Sequence, residues 1–226
     1  MEAIILAGGF GTRLKSVIND CPKPMAPING RPFLEILLQN LSKKGFKRVI
    51  LSLHYQSEKI RNHFKESFLG IELDYAIEHY PLGTGGAIMN SFRKITKDHV
   101  YVLNGDTFID LNFYDIEKQW AKYQSNIVIL KKIDDIRRYG CVKIDGSFIK
   151  SFSEKEKEGA GLINAGIYVL RKDLFSNKKF EDNFSFEKDF LTKEVINNKI
   201  QHFISDDFFI DIGIPEDYKK AQLLLN

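Results

Sequence analysis

The stretch "EAIILAGGFGTRL", residues 2–14, decides the reading of this chain. Residues 2–7 are a short, continuous, β-branched run, the pattern of a strand buried on both faces of a parallel sheet. The glycine-rich residues after it cannot extend that strand. Gly8, Gly9 and Gly11 permit positive φ and close backbone approach, and successive N–H groups there make a nest for an anion. Arg13 adds a forked cation that matches phosphate oxygens. A P-loop is excluded, because no Gly-Lys-Ser/Thr triplet occurs in the chain. A dinucleotide fingerprint also fails. Leu14 stands where its third glycine is needed, and "RVILSL" (48–53) lacks the acid that would grip a ribose.

Outward from this loop, the periodicity alternates between strand and helix. Pro32 opens a helix with Phe33, Ile36, Leu37 and Leu41 on one face and Gly45 closing it. Strand 48–53 is next, then a helix to Phe68 with Ser57 as N-cap, then strand 71–78. A short helix is expected over 86–94, a strand ending in an acid over 99–106, a helix over 111–124 and a strand over 126–133. Two alternating runs around Asp145-Gly146 read as a hairpin over 141–152. Strand 162–170, helix 186–198 and a closing helix over 215–225, begun by Pro215, complete the chain. The expected fold is α/β: a single-domain, Rossmann-like three-layer αβα sandwich with a mostly parallel mixed central sheet and a small β-hairpin extension. One domain spans 1–226, in two halves of about 1–110 and 111–226. Such sheets bind ligands at the carboxyl ends of their strands.

Composition narrows the function. The 226 residues carry 33 basic against 30 acidic side chains, a net charge of +3 that gives no reason to invoke nucleic acid. Cys21 and Cys141 are far apart, so neither a zinc site nor a disulfide framework is indicated. No apolar run has the length of a signal-peptide h-region or a membrane span, which makes the cytoplasm the default location. A second cationic element, "CPKPM" (21–25), holds Lys23 between two prolines.

Six segments in this order resemble the sugar-1-phosphate nucleotidyltransferases, across nearly the whole chain. "LAGGFGTRL" (6–14) and "PKPM" (22–25) are similar to that family's two cationic loops. "EHYPLGTGGA" (78–87) looks like its base-recognition segment, "NGD" (104–106) like its metal acid, and "NAGIY" (164–168) like its sugar-contacting strand. "DIGIPEDY" (211–218) resembles a late D-x-G-T-P-x-x-Y element, with Ile214 where threonine is commoner. The resemblance implies attack by a sugar-1-phosphate oxygen on the α-phosphorus of a nucleoside triphosphate, expelling pyrophosphate, with a nucleotide-binding half over about 1–110 and a sugar-phosphate-binding half over about 111–226. Both reactants are anions, so charge neutralisation and alignment are the protein's main tasks. By the same resemblance Arg13, Lys23 and Asp106 are catalytic. Arg13 would hold the leaving phosphates and Lys23 the α-phosphate, while Asp106 and Asp211 would bind Mg²⁺. Leu6, Ala7, Gly8, Gly9, Gly11, Thr12, Gly83, Thr84, Gly85, Gly86 and Asn104 would line the nucleotide. Tyr139, Gly140, Glu154, Lys155, Asn164 and Asp211 would hold the sugar phosphate. Lys157 competes with Lys155 within "SEKEKEG".

Glu78 carries the choice of base. Guanine presents N1–H and N2–H₂ side by side, and one carboxylate can accept both. Uridylyl- and thymidylyl-transferring members look as if they place glutamine here, so Glu78 favours GTP. The segments at 78–87 and 162–170 look most like members acting on D-glycero-D-manno-heptose 1-phosphate, which supply precursors for bacterial surface polysaccharide. Mannose-1-phosphate guanylyltransferase and N-acetylmuramate-1-phosphate uridylyltransferase are the alternatives inside the family. A metal-dependent glycosyltransferase would need a D-x-D signature that Asp106-Thr107-Phe108 does not provide. A non-catalytic sensor would not need the full set of loop cations and strand-end acids. The implied partners are GTP and a sugar 1-phosphate, with neither nucleic acid nor membrane, and a homodimer is compatible with this reading.

Overall fold

The strand that opens the sequence lies in the middle of the molecule. The computed structural model describes residues 1–9, 11, 14, 17–18, 21–153, 158–176, 180–197 and 200–225. In it, β1 (Glu2–Leu6) has parallel neighbours on both sides. A 3₁₀ turn at Lys23–Met25 and a short ladder of β2 (Pro27–Ile28) with β3 (Arg31–Pro32) lead into α1 (Phe33–Lys43). The rest of the first half runs β4 (Arg48–Leu53), α2 (Ser57–Phe64), β5 (Ser67–Phe68), β6 (Ile71–Ile77), α3 (Gly83–Phe92) and β7 (His99–Asn104). After it come β8 (Thr107–Ile109), α4 (Phe113–Tyr123), β9 (Ile127–Ile133), the hairpin β10 (Cys141–Asp145) with β11 (Phe148–Ser153), and the long β12 (Gly161–Arg171). A π-helical turn at Phe186–Leu191 passes into α5 (Thr192–Asn197), then β13 (Gln201–Ser205), β14 (Phe209–Asp211) and α6 (Pro215–Leu224).

Among the described residues, ten strands form one sheet in the order β10-β11-β13-β9-β12-β7-β1-β4-β6-β5. The run β7-β1-β4-β6 is parallel, as its apolar strands predict. Beyond β7 the sheet is mixed: β12 is antiparallel to both β7 and β9, and β9 and β13 are again parallel. The hairpin is the far edge of this same sheet.

Alternation along β1 builds the layers. Ala3 and Ile5 join one core with residues of α1, α2, α4 and α6, while Ile4 joins the other with Ile88 of α3, Phe186, Phe190 and Leu191. The outcome is a three-layer αβα sandwich. Four local expectations shift, the first being the helix expected to Phe68, which ends at Phe64 and leaves Ser67–Phe68 to pair with β6. α3 begins at Gly83, three residues before position 86. Gln56, in the left-handed region at φ 51°, precedes α2, which begins at Ser57. The helix foreseen over 186–198 opens as a π-turn, and Asn198 lies outside the described residues. Among the described residues, no helix is long and apolar enough to cross a membrane.

Candidate active site

A cleft of about 330 Å³ opens at the carboxyl ends of β1, β4, β6 and β7. Each strand delivers residues as it ends. β1 gives Leu6, Gly8 and Gly9; β4 gives Ser52 and His54; β6 gives Glu78; β7 gives Asn104, Gly105 and Asp106. Lys23, Pro24, Gly83 and Thr84 close the rim. The glycine loop and the proline-framed lysine are neighbours, as the sequence implies. A Cβ on Gly11, whose φ is +62°, would lie 3.1 Å from the Lys23 Cβ. Ala7 is buried, and its N–H donates to Ser52 O at 2.8 Å; it does not line the cleft. Thr12 and Arg13 lie outside the described residues.

Glu78 is buried against the glycine loop. A Cβ on Gly8 would meet its Oε1 at 3.4 Å and His54 N at 3.0 Å, so a side chain there would press the first loop away by a few tenths of an ångström. Oε1 accepts from Ser52 Oγ at 3.3 Å and Oε2 from Leu82 N at 3.1 Å. A carboxylate has about four acceptor positions, so two remain for a ligand. Burial pushes the Glu78 pKa above its ordinary value, and the Leu82 N–H, His54 and Ser52 offset only part of that rise.

Lys23 is buried and ion-paired with Asp106. Asp211 arrives beside them through backbone pairing: Asp211 registers with Thr107, and Ile212 N donates to Asp106 O at 2.9 Å. Its Oδ1 accepts from Gly213 N at 2.7 Å. A Cβ on Gly213 would stand 2.8 Å from Asp211 Oδ1 and 3.2 Å from Lys23 Nζ, so a side chain there would crowd this centre. Two carboxylates thus converge from adjacent strands on a space that an ammonium already finds favourable. That donor set, all oxygen and low in number, suits a hard divalent cation that keeps phosphate and water ligands. Among the described residues, no group of three or more His, Cys, Asp or Glu gathers as a metal cage.

The predicted sugar residues lie beyond β7. Gly166, at φ +70°, sits so close to Asn104 that a Cβ would come within 2.3 Å of Asn104 Nδ2, joining the β12 bulge to the cleft. Asn164 Oδ1 accepts from Gly166 N at 3.0 Å, and its Nδ2 donates to Tyr168 Oη at 2.8 Å and Glu187 Oε1 at 3.1 Å. Tyr139 packs edge-on to Phe209, 6.5 Å between ring centroids, under the Arg138 guanidinium at 5.5 Å. Burial raises the Tyr139 pKa, and the charge of Asp211 adds to that rise. Gly140 is exposed beside it. Glu154, Lys155 and Lys157 lie outside the described residues.

Two glycines expected to admit the nucleotide do something else. A Cβ on Gly85 would meet the Phe184 ring at 2.1 Å, and one on Gly86 would meet Asp182 O at 2.3 Å. Both are buried, and what they admit is the chain's own segment 182–184. Gly83 and Thr84 do face the cleft. Ser52, His54 and Gly105 also line the cleft, beyond the residues that the resemblance points to. Their position just at or past a strand's end was the available signal, since a Cβ on Gly105 would strike Leu6 O at 2.5 Å.

Residues 2–226 match the family described as Nucleotidyl transferase. The chain is 50% identical over 219 residues to a D-glycero-alpha-D-manno-heptose 1-phosphate guanylyltransferase of Campylobacter jejuni, covering 96% of this chain and 97% of that one. It is 44% identical over 223 residues to the protein of the same description from Aneurinibacillus thermoaerophilus, covering 98% and 97%. Among solved structures it resembles HddC from Yersinia pseudotuberculosis complexed with GMP-PN, with TM-score 0.89, 40% identity and coverage of 100% and 99%.

Proposed function

The chain belongs to the nucleotidyl transferase family, and from that premise we propose that it transfers the guanylyl group of GTP to D-glycero-D-manno-heptose 1-phosphate. The products are GDP-heptose and pyrophosphate, as for a precursor of bacterial surface polysaccharide, with the cytoplasm as the place of action. The observation that carries the base is Glu78, a buried carboxylate at the cleft with acceptor capacity in reserve. The sugar rests on the two heptose-phosphate relatives, each matched over nearly its whole length.

In this reading the chain's residues align two anions and neutralise them. Gly8, Gly9 and Gly11 offer backbone to the triphosphate, Arg13 takes the leaving β,γ-phosphates, and Lys23 turns from Asp106 toward the α-phosphate. The family generally uses a divalent metal, and Asp106 and Asp211 would hold Mg²⁺. Bound there, it supplies positive charge to phosphate oxygens. No covalent enzyme intermediate is needed, because the sugar phosphate oxygen is itself the nucleophile. Asn164, Tyr139 and Gly140 flank the sugar, with Glu154 and Lys155 in the segment after β11. Incubation with GTP, Mg²⁺ and heptose 1-phosphate should give GDP-heptose and an equal amount of pyrophosphate by mass spectrometry and phosphate assay. Nucleotide-sugar formation from mannose 1-phosphate but not heptose 1-phosphate would move the assignment to the mannose enzyme.

A further inference from the structure

Glu187 lies outside every motif of the sequence, yet the fold fixes it with unusual care. It stands on the first turn of the π-helical segment Phe186–Leu191, and π-turns often mark functional sites. A reciprocal cap sets that turn: Ser185 Oγ accepts from Lys188 N at 3.2 Å, and Asp189 Oδ2 accepts from Ser185 N at 2.7 Å. The turn is also fastened to the rim of the cleft. Phe186 N donates to Thr84 Oγ1 at 2.9 Å, Gly85 N to Phe184 O at 2.9 Å, and Phe184 N to Leu82 O at 3.1 Å.

Among the described residues, the Glu187 carboxylate is held from one side only. Its Oε1 accepts from Asn164 Nδ2 at 3.1 Å and from Tyr168 Oη at 2.9 Å. Tyr168 is itself locked, buried and edge-on to Phe186 with ring centroids 5.0 Å apart. Both donors are neutral, so they orient the carboxylate without cancelling its charge. Among the described residues no cation pairs with Glu187, its Oε2 accepts no hydrogen bond, and the residue is solvent-exposed. Through Asn164 and Gly166 this carboxylate connects to Asn104 in the cleft. An ordered carboxylate that no described cation neutralises would repel phosphates brought beside it. It suits a neutral partner with several O–H donors, because hydrogen bonds to a charged acceptor are the stronger ones.

We propose that Glu187 binds the sugar ring of the substrate, accepting hydroxyl hydrogens through Oε2, and sets which sugar 1-phosphates are used. The proposal rests on the sugar-phosphate transferase reading above. Asn164 and Tyr168 are then positioning residues that act through Glu187. This carboxylate also sets the direction of the sugar, since its charge keeps the phosphate at the Lys23 end.

The test compares wild type with Glu187→Gln, which still offers an oxygen to Asn164 and Tyr168 but turns the outer acceptor into a donor. The kcat/KM for the sugar phosphate should fall about 10-fold or more. The KM for GTP should stay within about twofold, because uniform binding of the nucleotide is untouched. Thermal unfolding of the variant should match wild type. Monodeoxy analogues of the accepted sugar 1-phosphate supply the second readout. For the analogue lacking the contacted hydroxyl, wild type should be as slow as the variant, and the substitution should cause no additional loss. Equal losses against every analogue, or parallel changes in both substrates' KM, would overturn the proposal and make Glu187 a structural residue. An unchanged sugar-phosphate kcat/KM in an active variant would overturn it as well. Wild type that forms no nucleotide sugar from any sugar 1-phosphate would refute the functional reading itself, a result distinct from these.

Discussion

Glu78 shows how one residue's surroundings become a measurable property. Burial favours its neutral form and raises its pKa, and the bonds from Leu82 N and Ser52 and the charge of His54 recover only part. In the proposed role it is the ionised form that would accept both guanine donors. As pH falls from about 8 to about 5, kcat/KM for GTP should therefore decline with an apparent pKa above the ordinary glutamate value of about 4.3. Glu78→Gln should lack that limb. An acid limb at or below the ordinary value in wild type would assign the guanine contact elsewhere. At the other end of the cleft, Asp106→Asn and Asp211→Asn each remove a charge facing the proposed cation. Each should leave circular dichroism unchanged while lowering Mg²⁺-dependent kcat on the order of 100-fold. If only Asp106→Asn does so, Asp211 serves the turn at Gly213, whose N–H it accepts, and not the cation. The grouping of Lys23, Glu78, Asp106 and Asp211 about one cleft was legible, because strand-end acids and loop cations keep their chemistry wherever the backbone carries them. The partners of Asn164 were not, since Tyr168 and Glu187 meet it only through the β12 bulge and a turn more than twenty residues on.

At the scale of elements, the glycines divide by what crosses them. Gly166 holds a positive φ against Asn104, so Gly166→Ala combines left-handed strain, about 1–2 kcal/mol, with a clash against a cleft residue. The variant should lose stability in urea unfolding and also lose turnover beyond that loss, with sugar-phosphate KM raised. A variant destabilised but kinetically normal would separate the bulge from the site. The helices and parallel strands that the sequence predicts are those with long apolar faces, such as α1 with Phe33, Leu37 and Leu41 buried. The start of α3 escaped because "GTGG" has low helix propensity. It is helical because Phe184 and Asp182 pack where side chains would stand, a long-range cause with no local trace. β13 escaped for a related reason. Gln201 and Ser205 read as polar, but Gln201 is buried and its Oε1 accepts from Gln119 Nε2 at 3.0 Å.

Across the whole molecule, the two ends of the parallel strands carry different duties. The amino ends are closed by Arg48, which pairs with buried Glu2, with Asp74 at 2.7 Å and with Lys94 O at 2.8 Å. Arg48→Met would leave the Glu2 carboxylate its neutral donors, Thr96 N, Thr96 Oγ1 and Lys97 N, but take away the guanidinium, and should cost about 1–3 kcal/mol in denaturant unfolding. Because this cluster lies at the opposite end from the cleft, kcat/KM below the unfolding transition should stay at the wild-type value. A variant that loses activity while remaining folded would contradict that division. The carboxyl ends hold the cleft proposed as the active site, and the central claim there is that a buried carboxylate reads guanine for transfer to a heptose phosphate. The most direct test is kcat/KM for GTP, UTP and dTTP, each with heptose 1-phosphate held fixed, in wild type and Glu78→Gln. A bidentate, charge-assisted contact predicts a preference for GTP of about 30- to 150-fold in wild type, most of it lost in the variant. A wild-type enzyme that prefers UTP, or a GTP preference that survives Glu78→Gln intact, would contradict it.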